Sequence, residues 1–164
     1  MRPDIEKSLS AKINKFPDLK RIVKAWQKAG NKVVFTNGVF DLLHVGHVTY
    51  LSKAAELGDK LVVGLNSDDS VRRIKGPSRP INNETNRATL LAALFFIDAV
   101  IIFERDTPIE LIIGLMPDVL VKGADYSVKN IVGAQEVIAH GGEVKTVPFV
   151  EGHSSTSIIQ KIQG

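Results

Sequence analysis

The sequence predicts an α/β fold: a doubly wound, five-stranded parallel sheet with helices on both faces and an extra N-terminal helix. Three observations carry this. Five short runs rich in β-branched residues recur along the 164 residues. Most of these runs are apolar almost throughout rather than alternating, as strands buried on both faces are. Stretches with helical apolar spacing lie between them.

Taken in order, "FPDLKRIVKAWQKAG" (16–30) reads as an amphipathic helix. It belongs to an N-terminal helical extension (1–30) packed on a core (31–164), the whole forming a single domain. "KVVFTN" from Lys32 is the first strand. In "HVTYLSKAAELG" the residues Val48, Leu51 and Ala55 share a helical face, and Gly58 supplies the stop. "KLVVGLN" from Lys60 is the second strand. "LLAALFFIDAVIIF" is interrupted by Asp98 and falls short of the ~20 residues that span a bilayer; its end, "AVIIF" from Ala99, is the third strand. "TPIELIIGLM" opens with Thr107, Pro108 and Glu110, a capping box with proline at the first helical position. "DVLVK" from Asp118 and "EVKTVPF" from Glu143 are the fourth and fifth strands. "SSTS" from Ser154 reads as a cap before the apolar run "IIQKI".

Composition narrows the classes. The 21 basic and 18 acidic residues give a net charge of +3 without blocks of like charge, which does not imply nucleic acid as a partner. The absence of cysteine excludes disulfides, thiolate metal sites and a cysteine nucleophile. No apolar leader opens the chain, and a cytoplasmic protein with no membrane partner is expected.

The chemistry concentrates in "GVFDLLHVGHVTYL" (38–51), directly after the first strand. With a helix starting near His44, His44 and His47 share a face of its first turn and Gly46 lies between them. A helix N-terminus offers unpaired N–H groups and partial positive charge, and imidazoles there add donors, so the arrangement suits a phosphate. Glycine between them lets the ligand approach the backbone. Two histidines three apart also suit zinc, but no third ligand is evident. Neither a G-x-G-x-x-G fingerprint nor a P-loop follows the first strand. "GHSST" lacks the second glycine of a hydrolase elbow.

"HVGH" after the first strand resembles the H-x-G-H signature of the cytidylyltransferase-like nucleotidyltransferases, whose fold is Rossmann-like. The likeness extends over roughly residues 31–162 through "LGDKLVVGLNSDDSVRRIKGPSRPIN", "DTPIELI", "PDVLVKGADY" and "EGHSSTSIIQKI". In combination these stretches are most similar to the branch that adenylylates D-glycero-β-D-manno-heptose 1-phosphate for the lipopolysaccharide inner core. The resemblance implies attack by a sugar 1-phosphate oxygen on the α-phosphate of ATP, with pyrophosphate leaving and no covalent protein intermediate.

It also implies roles. His44 and His47 match the signature histidines that contact the triphosphate, and Lys75 matches a mobile-loop lysine. Arg87 matches an arginine on the next helix that holds the leaving phosphates. These four are the candidate catalytic residues. Ser154, Ser155 and Thr156 are expected at the β- and γ-phosphates. Thr36, Asn37, Gly38, Phe40, Gly46, Lys122, Gly123, Asp125 and Tyr126 are expected along the rest of the nucleotide, and Asp41, Asn66 and Arg79 at the acceptor. Mg²⁺ is the implied cofactor, carried by phosphates, so no protein metal ligand is assigned. Glycerol-phosphate cytidylyltransferases place an arginine near the position of Phe149, which disfavours CTP here; Phe149 reads equally as core at a strand end.

Three alternatives stay open: CTP with glycerol 3-phosphate, a flavin or pantetheine phosphate acceptor, and a non-catalytic nucleotide sensor. The chain is too short for an aminoacyl-tRNA synthetase and lacks its lysine-rich loop. A sugar kinase step is expected on a separate protein. A homodimer is allowed, and no motif fixes it.

Overall fold

The computed structural model describes residues 4–164. Strands β1 (Val33–Gly38), β2 (Lys60–Asn66), β3 (Ala99–Phe103), β4 (Val119–Gly123) and β5 (Glu143–Val147) form one sheet in the order β3-β2-β1-β4-β5, with every pairing parallel. β5 ends before Pro148 rather than running on to Phe149, because proline brings no N–H to a ladder. β4 starts one residue later than the apolar run implies. The Asp118 side chain accepts instead from the Val33 amide at 2.8 Å, tying the start of β4 to that of β1.

Helices cover both faces. Tyr50, Leu51 and Ala54 of α3 (Val45–Ala55) and Ala88, Leu91 and Ala92 of α5 (Glu84–Ala93) pack against Val34, Val63 and Val121 on one side. Leu19 and Val23 of α2 (Phe16–Lys28), Leu111 and Ile112 of α6 (Ile109–Leu115) and Val137 of α7 (Ala134–Ala139) pack against Phe35, Val62 and Leu120 on the other. The N-terminal helix is therefore part of the core. Its Phe16 ring lies so close to Gly114 of α6 that a Cβ there would meet the ring at 2.3 Å. A short α1 (Ile5–Ser10), capped by Asp4, precedes it; with no buried residue, it leaves no apolar periodicity to read. Between α1 and α2, Ile13 forms a parallel bridge to Val100, flanked by hydrogen bonds from Asn14 N–H to the Val100 carbonyl and from Val100 N–H to the Lys12 carbonyl.

Three local expectations change. The buried stripe of α3 is Gly46, Tyr50, Leu51 and Ala54, with Val48 and Ala55 only partly covered. The Tyr50 hydroxyl is drawn inward to Thr36 Oγ1 at 2.8 Å, which helps turn that face. Gly58 does not adopt the left-handed conformation of a helix stop; it sits where a Cβ would come within 2.6 Å of the Lys32 carbonyl. The Thr107 capping box does not form. The helix begins one residue later, Pro108 is its cap without a side-chain bond, and Glu110 faces Arg105 at 3.7 Å.

Candidate active site

β1 lies between β2 and β4, so strand order reverses there, and a crevice opens at such a point beyond the carboxyl ends of the strands. A cavity of about 600 Å³ occupies this place. β1 and its loop contribute Asn37, Gly38, Val39, Phe40 and Asp41; α3 contributes His44, Gly46, His47 and Tyr50. Lys75 and Arg79 form another wall, and the end of β4 brings Lys122, Gly123, Asp125 and Tyr126. The last wall is Phe149, Val150 and His153, leading into Ser154, Ser155 and Thr156 of the α8 region (α8, Ser155–Gln163).

His44 is the cap of α3 rather than a member of its first turn. Its Nδ1 accepts the His47 amide at 3.3 Å, and the two rings stack with centroids 3.7 Å apart. Capping consumes the Nδ1 lone pair of His44. Among the described residues, His44 Nε2 and His47 Nδ1 are the buried side-chain polar atoms without a hydrogen-bond partner. Such atoms cost on the order of 1–3 kcal/mol each unless a ligand or water satisfies them. Burial, then the neighbouring His44, lowers the His47 pKa to about 4, with the Leu42 carbonyl opposing. Burial and then His153 lower that of His44. Both imidazoles are thus neutral at pH 7 with one N–H each: that of His44 is on Nε2, because Nδ1 accepts the His47 amide, and that of His47 is drawn to the Leu42 carbonyl.

Glycines let these parts converge. A Cβ on Gly46 would lie 2.9 Å from the His44 ring and 3.0 Å from His153 Cβ, so its absence brings the two helix starts together as well as leaving the backbone open. Ser155 Oγ donates to the Leu42 carbonyl at 3.0 Å, a second tie between α8 and the β1–α3 loop. Ser154 caps α8 by accepting the Ser157 amide at 3.0 Å. Two helix N-termini, from helices of 11 and 9 residues, thereby face one cavity. Phe40, held at φ 46°, turns its ring over Gly38 and edge-on to His47 at 5.2 Å.

The other end is aromatic. Phe149 is half-exposed, not core, and stacks on Tyr50 at 5.4 Å; its ring crosses Gly123 so closely that a Cβ there would meet it at 2.0 Å. Lys122 Nζ donates to Asn37 Oδ1 at 3.1 Å and lies 5.5 Å from the Tyr126 ring. Burial depresses the Lys122 pKa, partly offset by Asp125. Tyr126 is exposed at the rim.

Three expected site residues lie outside the cavity wall. Arg87 is fully buried. Its guanidinium donates to the carbonyls of Asn82 (2.9 Å), Val39 (2.8 Å) and Asn66 (2.8 Å) and to Asp68 Oδ1 (2.8 Å), so it braces the loops around the site rather than holding phosphates. Thr36 is buried against Tyr50, and Asn66 donates to Ser70 Oγ at 3.0 Å; both act beneath the wall. Lys75 is not in a loop: it is the last residue of α4 (Asp68–Lys75), and segment 76–83 follows it. His153 escaped the sequence reading, although its place next to the helix cap in "GHSSTS" was a usable signal. Its ring lies 6.2 Å from that of His44 at 25°.

Among the described residues no three His, Asp or Glu side chains gather to hold a metal ion, and no helix is long and apolar enough to cross a membrane. A family model described as cytidylyltransferase-like matches residues 35–161. Proteins named "Bifunctional protein HldE" are similar over most of the chain. That of Geotalea uraniireducens (strain Rf4) is 56% identical over 93% of this chain, and that of Syntrophotalea carbinolica (strain DSM 2380 / NBRC 103641 / GraBd1) 53% over 93%. The chain spans only 31% of the length of either relative. A solved lipopolysaccharide core biosynthesis protein from Thermoplasma volcanium GSS1 superposes with TM-score 0.60 at 31% identity, covering 76% of this chain and all (100%) of its own. A pantoate-beta-alanine ligase from Francisella tularensis, at TM-score 0.58 and 14% identity, covers 92% of this chain and 76% of its own and shares the fold.

Proposed function

Since the chain belongs to the cytidylyltransferase-like family, we propose that it transfers AMP from ATP to D-glycero-β-D-manno-heptose 1-phosphate, releasing pyrophosphate and giving ADP-heptose. The observation that carries the transfer chemistry is the stacked pair His44 and His47, whose free nitrogens are buried at a cavity faced by two helix N-termini. The acceptor rests on the sequence resemblance, supported by a similar solved protein described as acting in lipopolysaccharide core biosynthesis.

An acceptor phosphate oxygen attacks the α-phosphorus, and the bond from that phosphorus to the α,β-bridging oxygen breaks. The nucleophile is already an anion, so no base has to remove a proton. Catalysis consists of holding two polyanions in line and meeting the charge that moves onto the leaving pyrophosphate. The neutral imidazole of His44 donates its Nε2 N–H there without first shedding a charge, and the stacked His47 ring completes the polar wall beside it. Thr156 and the amides opening α8 face the same phosphates, whereas the Ser155 hydroxyl is already committed to the Leu42 carbonyl, and Lys75 adds a cation. The base lies at the aromatic end, against Phe149 and Tyr126.

Mg²⁺ is proposed to arrive on the triphosphate and neutralise part of its charge, because the described residues offer no cage for it. Asp41, the buried carboxylate on the wall, is already occupied by Arg79 and two backbone amides. ATP and sugar phosphates place the reaction in the cytoplasm.

Mass spectrometry of the products of ATP and heptose 1-phosphate tests the reading. ADP-heptose with equimolar pyrophosphate is expected. Product only with another phosphate acceptor would move the assignment within the family, and ATP binding without pyrophosphate release on any acceptor would make the chain a sensor.

A further inference from the structure

Phe40 is a buried aromatic residue at φ 46°, in the left-handed region where a side chain crowds its own backbone. Such a conformation persists only where the surroundings over-determine it. Here the chain is pinned on both sides of the residue. In the peptide group before it, the Val39 carbonyl accepts Arg87 Nη1 at 2.8 Å. After it, the Asp41 carboxylate accepts the amides of Ile81 and Asn82, each at 2.9 Å, and the Asn82 side chain donates to the Asp41 carbonyl at 3.2 Å. Asn82 is in turn held by Arg87, whose Nε donates to the Asn82 carbonyl at 2.9 Å. Both pins therefore converge on one fully buried guanidinium. Arg87 spends further N–H groups on the Asn66 carbonyl and on Asp68 Oδ1, each at 2.8 Å, which leaves no pair of donors for a phosphate.

The torsion decides where the Phe40 ring goes. It lies over Gly38, where a Cβ would meet it at 2.9 Å, and stands edge-on to His47, with centroids 5.2 Å apart at 72°. His47 in turn stacks on His44 at 3.7 Å. Because His44 Nδ1 accepts the His47 amide, the His44 proton sits on Nε2, and the stacked ring limits the directions in which that donor can turn. We propose that Arg87 and Phe40 form one positioning device: Arg87, through the Val39 carbonyl and Asn82, holds Phe40 left-handed, and the Phe40 ring wedges His47 against His44 so that the His44 donor keeps one direction. Its effect on turnover rests on the proposed placement of the phosphates at His44; the wedge itself does not. Arg87 thus acts on the reaction without touching a substrate. Its loss removes orientation in the transition state, not nucleotide binding.

The test observes the imidazoles themselves. Long-range proton–nitrogen NMR of the ligand-free protein distinguishes a ring held in one tautomer from one that averages between two, and wild type should show His44 protonated on Nε2. Arg87→Lys keeps the charge but not the several-pronged grip, and Phe40→Gly permits the left-handed torsion but deletes the ring. In both, the nitrogen shifts of the two histidines should move toward averaged values. For Arg87→Lys, kcat read from pyrophosphate release should fall about ten- to a hundredfold, the order expected when reacting groups are slightly misplaced, while affinity for a non-hydrolysable ATP analogue stays within about threefold. Loss of analogue affinity in Arg87→Lys with kcat unchanged would make Arg87 a phosphate ligand and overturn the proposal, as would wild-type imidazole signals in Phe40→Gly. If Arg87→Lys does not fold, Phe40→Gly and Phe40→Ala decide: both lack the ring and should lose kcat and imidazole order alike, and wild-type turnover in either refutes the wedge. Should wild type make no ADP-heptose, the acceptor reading fails separately, and the imidazole spectra still decide the wedge.

Discussion

The histidine pair shows what single residues contribute. Removing His47 deletes the ring stacked on the donor His44 where charge builds up, so His47→Ala is expected to lower kcat by about 10² or more, read from pyrophosphate release with both substrates saturating. Its titration has a consequence for stability. The pKa falls from an ordinary 6.5 to about 4 on folding, so between these values the unfolded chain holds a proton that the native chain does not. Unfolding then takes up a proton, and stability falls as the pH drops through that window. With allowance for the partial exposure of the ring, this amounts to about 1–2 kcal/mol lost between pH 7 and pH 5. Urea denaturation of His47→Gln at the two pH values should show a shallower decline than wild type; parallel declines would refute the assignment. Side-chain identity made this pair legible in the sequence. It did not reveal Arg87 as a brace, because the same letter on a helix describes a phosphate ligand or a buried clamp, and only its carbonyl partners in two loops and at the end of β2 distinguish them.

At the level of elements, β-branched runs located all five strands, since in a sheet covered on both faces burial itself writes the pattern. Helix ends were less legible. Thr107 and Glu110 have the spacing of a capping box, but a helix that starts after Pro108 leaves Thr107 outside it. Gly58 looked like a helix stop and is instead a point of close approach between the end of α3 and the start of β1. Gly58→Ala should therefore destabilise by about 1–3 kcal/mol through overpacking against the Lys32 carbonyl and Val34. The loss would be seen as a lower denaturation midpoint with unchanged slope. A neutral or stabilising effect, as expected from simply replacing a flexible glycine, would contradict the close approach.

For the molecule as a whole, the strand order puts the cavity between β1 and β4, and its two ends differ in chemistry: imidazole-lined at the helix starts, aromatic where Phe149 crosses Gly123. A base edge read by hydrogen bonds discriminates by about 1–3 kcal/mol for each donor or acceptor left unpaired. With heptose 1-phosphate, kcat/KM is therefore expected to be at least about tenfold higher for ATP than for CTP. Parity or a preference for CTP in competition assays would overturn the adenylyl assignment and leave the histidine roles intact. That Asp41 grips Ile81 and Asn82 could not be read from the chain, because nothing local to either segment encodes a partner 40 or 41 residues away. The short bridge between Ile13 and Val100 reaches further still. A parallel sheet ends in two rows of unsatisfied backbone groups, either of which invites a strand from another molecule. Here the rim at β3 is already occupied by residues 12–14, and β5 at the opposite rim carries the charged pair Glu143 and Lys145, 3.0 Å apart. Both rims thus carry a feature that disfavours growth of the sheet from one copy into the next.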